Sequence, residues 1–329
     1  MDLPTRADVT LEHVTVDAYV RDVLPHSFAL WGSGRVFDTY VQDLRAMAAT
    51  TYAKRRPFLL GLRDGATLVA TCKTYDRELR YGDRALRATG IGAVFTPPAV
   101  RGRGYATVML GALLDAERNA GRDIAFLYSD IHPTYYEKLG FVALPSRLIS
   151  LRAESLDGAP VGARPIEEGD WTGIRRCFER LDAERPWSLR RTPLVWNWMR
   201  GRWRASPQAG AQNVALAVRA GRTIVAYAIG RRALARDAFV LDDFAFDGET
   251  GRALVPALLR AAVGDLRRVN GWLPPPGARD ALGRGSVRAR KDAILMIAPL
   301  SSLGRAWWKA NRDEILVGRA DATWSADHV

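Results

Sequence analysis

The sequence predicts a chain of the α/β class that contains two copies of one fold. Its 329 residues exceed the size at which one hydrophobic core usually keeps growing, and 48% of them are hydrophobic. A hairpin pattern at residues 58–70 returns at residues 214–226, a constant offset of 156 residues. Between residues 91 and 121 lie a strand pattern, a glycine-rich turn and an amphipathic helix in succession. Together these observations indicate two packed α/β units.

The elements of the first copy follow from local patterns. Residues 91–95 form a β-branched and aromatic run that two prolines halt. From Ala106 onward, apolar residues recur at helical spacing, and a glycine closes the helix at residue 121. Residues 124–128 then predict a short buried strand, and residues 133–139 predict a short helix that Gly140 ends. This order of elements forms one βαβα unit.

The turn between the first strand and the helix has the composition of an anion site. Gly102 and Gly104 have no Cβ, so their backbone can approach a phosphate closely. Arg101 and Arg103 add charge-assisted donors, and the amides at a helix N-terminus converge on one point. The turn lacks the Lys-Ser or Lys-Thr pair of a nucleoside triphosphate loop and the acidic residue of a dinucleotide site. It therefore predicts binding of a different phosphate-bearing ligand.

These residues resemble the GNAT acetyltransferase superfamily over about residues 55–150. Arg101, Gly104 and Ala106 fit its pyrophosphate signature position by position, and Tyr136 is followed by the Glu-Lys-Leu-Gly-Phe sequence common in that family. The resemblance implies tandem GNAT folds, each a mixed, mostly antiparallel central sheet flanked by helices. It implies acetyl-CoA as cosubstrate and Tyr136 as general acid for the departing thiolate. Tyr135 points about 100° away from Tyr136 on a helix, and the family register favours Tyr136.

The resemblance also implies which residues hold the cofactor. Main-chain groups of one stretch would pair with the pantetheine arm as an added strand, and one of its amides would polarise the thioester carbonyl. The amides of a second stretch would hold the pyrophosphate. The expected set is Ala93, Val94, Phe95, Arg101, Gly102, Arg103, Gly104, Tyr105 and Ala106.

The general base is open between several residues. Asp130 and His132 follow the strand 124–128 and would lie close to the cleft, although the same residues are equally suited to cap the next helix. His26 fits a core or surface role better. The chain also resembles the enhanced-intracellular-survival acetyltransferases, which implies a third candidate, the terminal carboxylate at Val329. A frayed end is the ordinary alternative for residues 324–329.

The second copy keeps the pattern of elements and loses the anion site. Residues 239–246 match the strand before the turn, and residues 253–266 match the helix after it. Two carboxylates in residues 247–252 would repel pyrophosphate, Pro256 interrupts the helical pattern, and the rigid residues 274–277 replace the tyrosine helix. One cofactor site per chain is therefore expected.

The expected division places an active GNAT domain at residues 1–152 and a degenerate GNAT-like domain with a C-terminal tail at residues 163–329. Residues 153–162 between them contain the turn-forming Asp-Gly-Ala-Pro sequence and read as a linker. The loop near residues 77–84, the early helices and the second copy would together determine the acceptor, and none of them carries a readable code.

Composition excludes several other classes of protein. Four histidines without ligand spacing argue against a metal enzyme, and Cys72 and Cys177 stand far apart, as in a reducing cytoplasm. No apolar stretch approaches 18 residues, and the first four residues do not begin a signal peptide. The net charge of +12 comes from scattered arginines, so a nucleic-acid partner is not expected. The sequence does not determine the oligomeric state.

The leading hypothesis is an acetyl-CoA-dependent N-acetyltransferase that acts by direct attack of a small-molecule amine or a protein amino group. The alternatives are an inactive acyl-CoA-binding regulatory module and a tRNA-dependent aminoacyl transferase. The intact anion site and Tyr136 favour the enzyme over both alternatives. The sequence does not choose between acetyl and longer acyl groups.

Overall fold

The computed structural model describes residues 9–158, 161–317 and 323–329, and these form two β-sheets with helices packed against them. The strands of the first sheet are β1 (Val9–His13), β2 (Leu59–Asp64), β3 (Thr67–Tyr81), β4 (Arg84–Phe95), β5 (Ile124–Ser129), β6 (Val142–Ala143), β9 (Trp187–Arg190) and β15 (Ile294–Pro299). The strands of the second are β7 (Arg147–Arg152), β8 (Arg164–Pro165), β10 (Ala211–Ala220), β11 (Thr223–Ala233), β12 (Ala238–Phe246), β13 (Arg268–Trp272) and β14 (Ser286–Ala289).

Helices lie before, between and after these strands. They are α1 (Val16–Asp22), α2 (Leu24–Trp31), α3 (Phe37–Ala48), α4 (Thr51–Arg55), α5 (Tyr105–Asn119), α6 (Thr134–Glu137), α7 (Trp171–Ala183), α8 (Pro193–Arg204), α9 (Gly248–Val263), α10 (Pro276–Arg279) and α11 (Ser302–Leu316). In the described ranges, no helix is both long and apolar enough to cross a bilayer.

The two sheets share one topology, as the sequence repeat predicts. In the first, β2, β3 and β4 are antiparallel neighbours and β5 runs parallel to β4. In the second, β10, β11 and β12 are antiparallel and β13 runs parallel to β12. The repeat extends to a detail, because a β-bulge follows Leu62 in the first hairpin and Val218 in the second, 156 residues apart. The mixed, mostly antiparallel sheets of the expected fold class are confirmed.

Each sheet is completed by a strand from the other half of the sequence. Strand β15 pairs antiparallel with β5 over six residues, and β7 pairs antiparallel with β13 over five. The division expected at residues 152 and 163 therefore does not coincide with the division between the sheets. Residues 159 and 160 of the expected linker lie outside the described residues, and the remainder contains no α-helix or strand.

Three segments differ from the sequence expectation. Residues 77–84, expected as a loop, continue β3 and β4 as a long hairpin that turns at Gly82, where φ is +54°. The helix expected at residues 253–266 is α9, which begins five residues earlier and includes Pro256. The rigid residues 274–277 lead into α10, a four-residue helix like α6. Ladder pairing and packing against the sheet outweigh the local turn and breaker signals in these segments.

Candidate active site

Strands β4 and β5 separate at the end of the first sheet, and this opens a gap. Their parallel ladder runs from Ala88 opposite Ile124 to Ile91 opposite Leu127, whereas β4 continues to Phe95. The register between β4 and β3 shifts at the same level, and Ala93 adopts a φ of +47°, which is uncommon for a residue with a Cβ. Main-chain groups of residues 93–95 thus face the gap beyond the end of the described ladder.

The glycine-rich turn follows directly and leads into α5. Gly102 and Gly104 both have a φ of +79°, and Gly104 is the N-cap of α5 without a side-chain capping bond. A Cβ at Gly102 would meet no atom within 4 Å, so the space in front of the turn is open. The first-turn amides of a 15-residue helix consequently point at an accessible position, the arrangement that suits a phosphate.

The two arginines and the tyrosine of the turn have separate environments. Arg101 and Arg103 are exposed, and Nε of Arg101 donates to the Thr96 carbonyl at 3.0 Å. Tyr105 is buried, and its hydroxyl donates to Asp64 at 2.5 Å. The side chain of Tyr105 therefore belongs to the core, and only its main chain is available to a ligand.

Tyr136 lies beside the gap and Tyr135 does not share its surroundings. Tyr136 is buried in the same apolar cluster as Ile91 and Leu127, the last paired residues of the ladder. Burial raises its pKa, so the hydroxyl keeps its proton at neutral pH. The hydroxyl of Tyr135 lies 3.3 Å from Oγ1 of Thr107 on α5. The two rings meet edge to face with centroids 5.0 Å apart.

The structure separates the two candidate bases that follow β5. Asp130 lines a large cavity, and its Oδ1 accepts a hydrogen bond from the Ala293 amide at 2.9 Å. His132 is exposed, and its Nδ1 lies 2.8 Å from Oγ1 of Thr134 at the start of α6. His132 therefore has the capping geometry that the sequence left open. His26 is exposed on α2.

The cavity has a volume of about 860 Å³ and lies between the two sheets. Gly92 and Ala93 form part of its wall, so the cavity borders the stretch of β4 that leads into the gap. Residues from both halves of the chain line the cavity. Its wall is rich in aromatic side chains, which are those of Trp31, Tyr40, Tyr52, Phe58, Tyr75, Tyr128, Trp198, Trp203 and Trp272.

The C-terminal segment crosses this wall and reaches Gly92. A Cβ built on Gly92 would lie 2.7 Å from the main-chain carbonyl carbon and oxygen of Val329, and one on Gly90 would lie 3.1 Å from the Val329 side chain. His328 packs against Tyr128 with ring centroids 5.0 Å apart. Burial, with Arg202 and Arg290 nearby, lowers the pKa of His328 to about 3, so its imidazole is neutral at physiological pH.

A buried ionic cluster fixes this segment in place. Asp327 accepts hydrogen bonds from Arg77 at 2.8 Å and from Arg191 at 3.2 Å. Arg191 also forms a bidentate pair with Asp243, which accepts a further bond from the Tyr227 hydroxyl at 2.9 Å. The charged side chains are at most 2% exposed. Two arginines and two carboxylates balance, and they join β3, β12 and the C-terminal segment.

Sequence reasoning missed Arg77 and Arg191 because each looks like one of many surface arginines. Two adjacent aspartates, Asp242 and Asp243, are typical of a solvent-facing strand end, yet Asp243 is buried and pairs with Arg191. The sequence signal that could have indicated burial of Arg77 is its position on a strand whose alternate residues are apolar. The residues that pair with it can be identified only from the three-dimensional structure. Trp196 and Met199 are buried in the core.

Comparisons with known proteins agree with this geometry. Residues 23–143 match the family described as "Acetyltransferase (GNAT) domain". A "Lysine acetyltransferase" of Yarrowia lipolytica is 30% identical over 161 residues, and the match covers 41% of each chain. The matched part thus spans less than half the length of that relative.

Solved structures with the same fold cover most of the chain. A GCN5-related N-acetyltransferase from Anabaena variabilis matches 90% of this chain and 74% of its own, with a TM-score of 0.71 and 13% identity. One from Kribbella flavida matches 90% and 73%, with a TM-score of 0.67 and 20% identity. Eis1 from Mycobacterium abscessus matches 89% and 74%, with a TM-score of 0.52 and 14% identity.

Proposed function

We propose that this chain, which contains a GNAT acetyltransferase domain, is an acetyl-CoA-dependent N-acetyltransferase that acts on a primary amine by direct attack. The observation that carries the proposal is the opened end of β4. Its residues 93–95 lie at the gap, and Gly92 and Ala93 also border the cavity. A thioester in the gap and an amine in the cavity would meet at this strand.

Two features support acetyl-CoA as the cosubstrate. The main chain of Ala93, Val94 and Phe95 can pair with the amide groups of a pantetheine arm, as a strand pairs with a sheet edge. The amides from Arg101 to Ala106 then lie where the pyrophosphate would follow, with positive potential from the α5 N-terminus and from Arg103. An amide near Val94 or Phe95 would polarise the thioester carbonyl.

The proton balance assigns one role to Tyr136. A neutral amine attacks the carbonyl carbon, the C–S bond breaks, and the sulfur leaves as a thiolate. The Tyr136 hydroxyl, which is protonated at neutral pH and whose pKa burial raises further, donates a proton to that sulfur. The amine gives one proton to a base when the amide forms, and that proton returns through solvent to the Tyr136 tyrosinate, so the net products are an acetamide and the CoA thiol.

As the base that takes the proton from the amine, we favour Val329 over the other candidates. Its main-chain oxygen lies against Gly92, the point where the amine would approach. Asp130 lies in the same cavity and would act through solvent, because one of its oxygens is engaged by Ala293. His132 caps α6 and is the weakest candidate. The name of the Yarrowia relative suggests a lysine ε-amine as one acceptor to test first.

The first experiment measures thermal unfolding with acetyl-CoA, free CoA and a longer acyl-CoA, together with release of the CoA thiol in the presence of amines. A ligand at 100 times its dissociation constant should add about 2.7 kcal/mol of stability. Gly104→Val should abolish the shift, because a β-branched residue is strained at φ +79° and blocks the anion site.

The matched control is Gly221→Val, which carries similar strain at φ +59° in the second hairpin, far along the chain from the turn. It should lower the melting temperature and leave the acetyl-CoA shift unchanged. Absence of any shift in the wild type would refute the cofactor. A shift without thiol release for any amine would instead favour the inactive binding module.

A further inference from the structure

The charged residues around the cavity are unevenly balanced. The cationic side chains are Arg35, Lys73, Arg202, Arg231, Arg236 and Arg288, and the carboxylates are those of Asp43, Asp130, Asp242 and Asp292 together with the main-chain carboxylate of Val329. Two of the arginines are neutralised within the cavity wall, because Arg231 pairs with Asp242 at 2.8 Å and Arg35 lies 3.9 Å from Asp43. The four remaining cations exceed the three remaining carboxylates by one, so the cavity carries a small excess of positive charge.

Lys73 lies on the strand that neighbours the proposed reaction point. It pairs directly opposite Gly92 across β3 and β4, so its side chain projects from the same face of the sheet into the cavity. Its Nζ lies 5.7 Å from the centroid of the Tyr19 ring. No carboxylate within the described ranges forms an ion pair with it, and burial together with Arg202 and Arg35 lowers its pKa to about 8.

Arg202 is the second cation of this kind. One guanidinium nitrogen donates to the His328 carbonyl at 2.6 Å, and the group lies 4.9 Å from the centroid of Trp198. In the part of the chain that the structure describes, no carboxylate lies within ion-pair distance of Arg202. Burial lowers its pKa, although Tyr75 and Asp242 act in the opposite direction. Lys73 and Arg202 therefore hold like charges in one cavity wall, an arrangement that a bound anion would stabilise.

We propose that Lys73 and Arg202 form an anion-binding subsite, and that the acceptor is a primary amine that also carries a carboxylate or phosphate group on an apolar body. This rests on the proposed acetyl transfer at Gly92. The anionic group would pair with Lys73 and Arg202, the aromatic walls would cover the apolar body, and the amine would face β4. Polyamines, which bring further positive charge, would be disfavoured in the same cavity.

The test separates anion recognition from catalysis. At pH 7, thermal unfolding is measured with 3-phenylpropionate, phenyl phosphate, 3-phenylpropanamide and 3-phenylpropylamine, which share an aromatic body and differ in the polar group. The carboxylate or the phosphate should bind about tenfold tighter than the amide, as a charge-assisted hydrogen bond gives. Whichever of the two anions binds better identifies the anionic group of the acceptor.

Lys73→Gln should reduce the preference for the anion to near unity, and Arg202→Gln should do the same if Lys73→Gln does not fold. Lys54→Gln, the same change at an exposed position on α4, is the matched control and should retain the preference. Equal binding of anion and amide, stronger binding of the amine, or no binding of either anion would overturn the subsite. Acetyl-CoA is included in each series. A melting shift with acetyl-CoA but no preference for the anions refutes the subsite alone. If acetyl-CoA produces no melting shift, the proposed function is refuted.

Discussion

At the scale of single residues, Tyr136 and Tyr135 differ in environment although they are adjacent in sequence. Tyr136 is buried beside the end of the β4–β5 ladder, and Tyr135 is half-buried with its hydroxyl at Thr107. Tyr136→Phe should lower turnover by roughly a hundredfold or more, since a positioned general acid contributes at least that much. Steady-state thiol release measures this effect.

The control for Tyr136→Phe is Tyr135→Phe, which removes the neighbouring hydroxyl and should leave turnover close to that of the wild type. Both variants should keep the acetyl-CoA melting shift, because neither hydroxyl belongs to the anion site. Equal losses of turnover in the two variants would show that Tyr136 has no specific role as an acid.

Asp327 is the residue on which the buried ionic cluster depends. Asp327→Asn would leave Arg77 without a carboxylate partner and Arg191 with Asp243 alone, so one buried positive charge would be uncompensated, which should lower the free energy of unfolding by about 3–5 kcal/mol. Burial alone would raise the pKa of Asp327, but the two arginines hold this pKa below its usual range. The stabilisation is therefore present above pH ~4, the ordinary pKa of an aspartate, and is lost as the pH falls further.

Denaturant unfolding of the wild type and of Asp327→Asn at pH 7 and pH 3 measures both parts of this prediction. Asp313→Asn is the control, because Asp313 is exposed on α11 and pairs with an exposed arginine. An Asp327 variant as stable as the control at pH 7 would contradict the role of the cluster.

At the scale of elements, the C-terminal segment and β4 fit each other through two glycines. A Cβ at Gly92 would approach Val329 to 2.7 Å, so Gly92→Ala should displace the end of the segment and leave the Asp327 cluster intact. Turnover should fall by about tenfold or more, since small displacements of reacting groups are costly. Thiol release and the acetyl-CoA melting shift are measured together.

Gly169→Ala is the control, because a Cβ there meets no atom within 4 Å. A chain that ends at His328 should show the same loss of turnover. When this truncation is combined with Gly92→Ala, the further loss should be small if both changes act through Val329. Additive losses would mean that the glycine acts on the cofactor side of β4 instead.

At the scale of the whole molecule, the exchanged strands join the two halves into one folding unit. Strand β5 is buried along its length and pairs with β15 from the far end of the chain, while β7 pairs with β13. A fragment of residues 1–152 should therefore remain unfolded or aggregate, because it exposes a buried strand edge. Circular dichroism melting of the fragment measures this.

Co-expression of residues 1–157 with residues 158–329 is the control, since the two pieces together supply every described strand. The pair should show one cooperative transition and the acetyl-CoA shift. A cooperative melt of residues 1–152 alone would show that the first sheet is stable without β15.

The sequence predicted the class of fold, the repeat and the cofactor turn because these depend on local properties. Hairpin turns, helical periodicity and glycines at positive φ act over a few residues, and the offset of 156 residues repeats even the β-bulge after Leu62. Tyr136 could be named for the same reason, through a short motif around one helix. Its role as an acid remains a prediction.

The tertiary structure alone decided the features that join distant residues. The exchange of β7 and β15, the pairing of Asp327 with Arg77, and the contact of Val329 with Gly92 each join residues far apart in the sequence. Such contacts depend on how complete sheets pack, and no local pattern encodes the partner of a buried arginine or the shape of a shared cavity. The site proposed for the acceptor is therefore a property of the assembled halves, whereas the site proposed for the cofactor was already visible in one short segment.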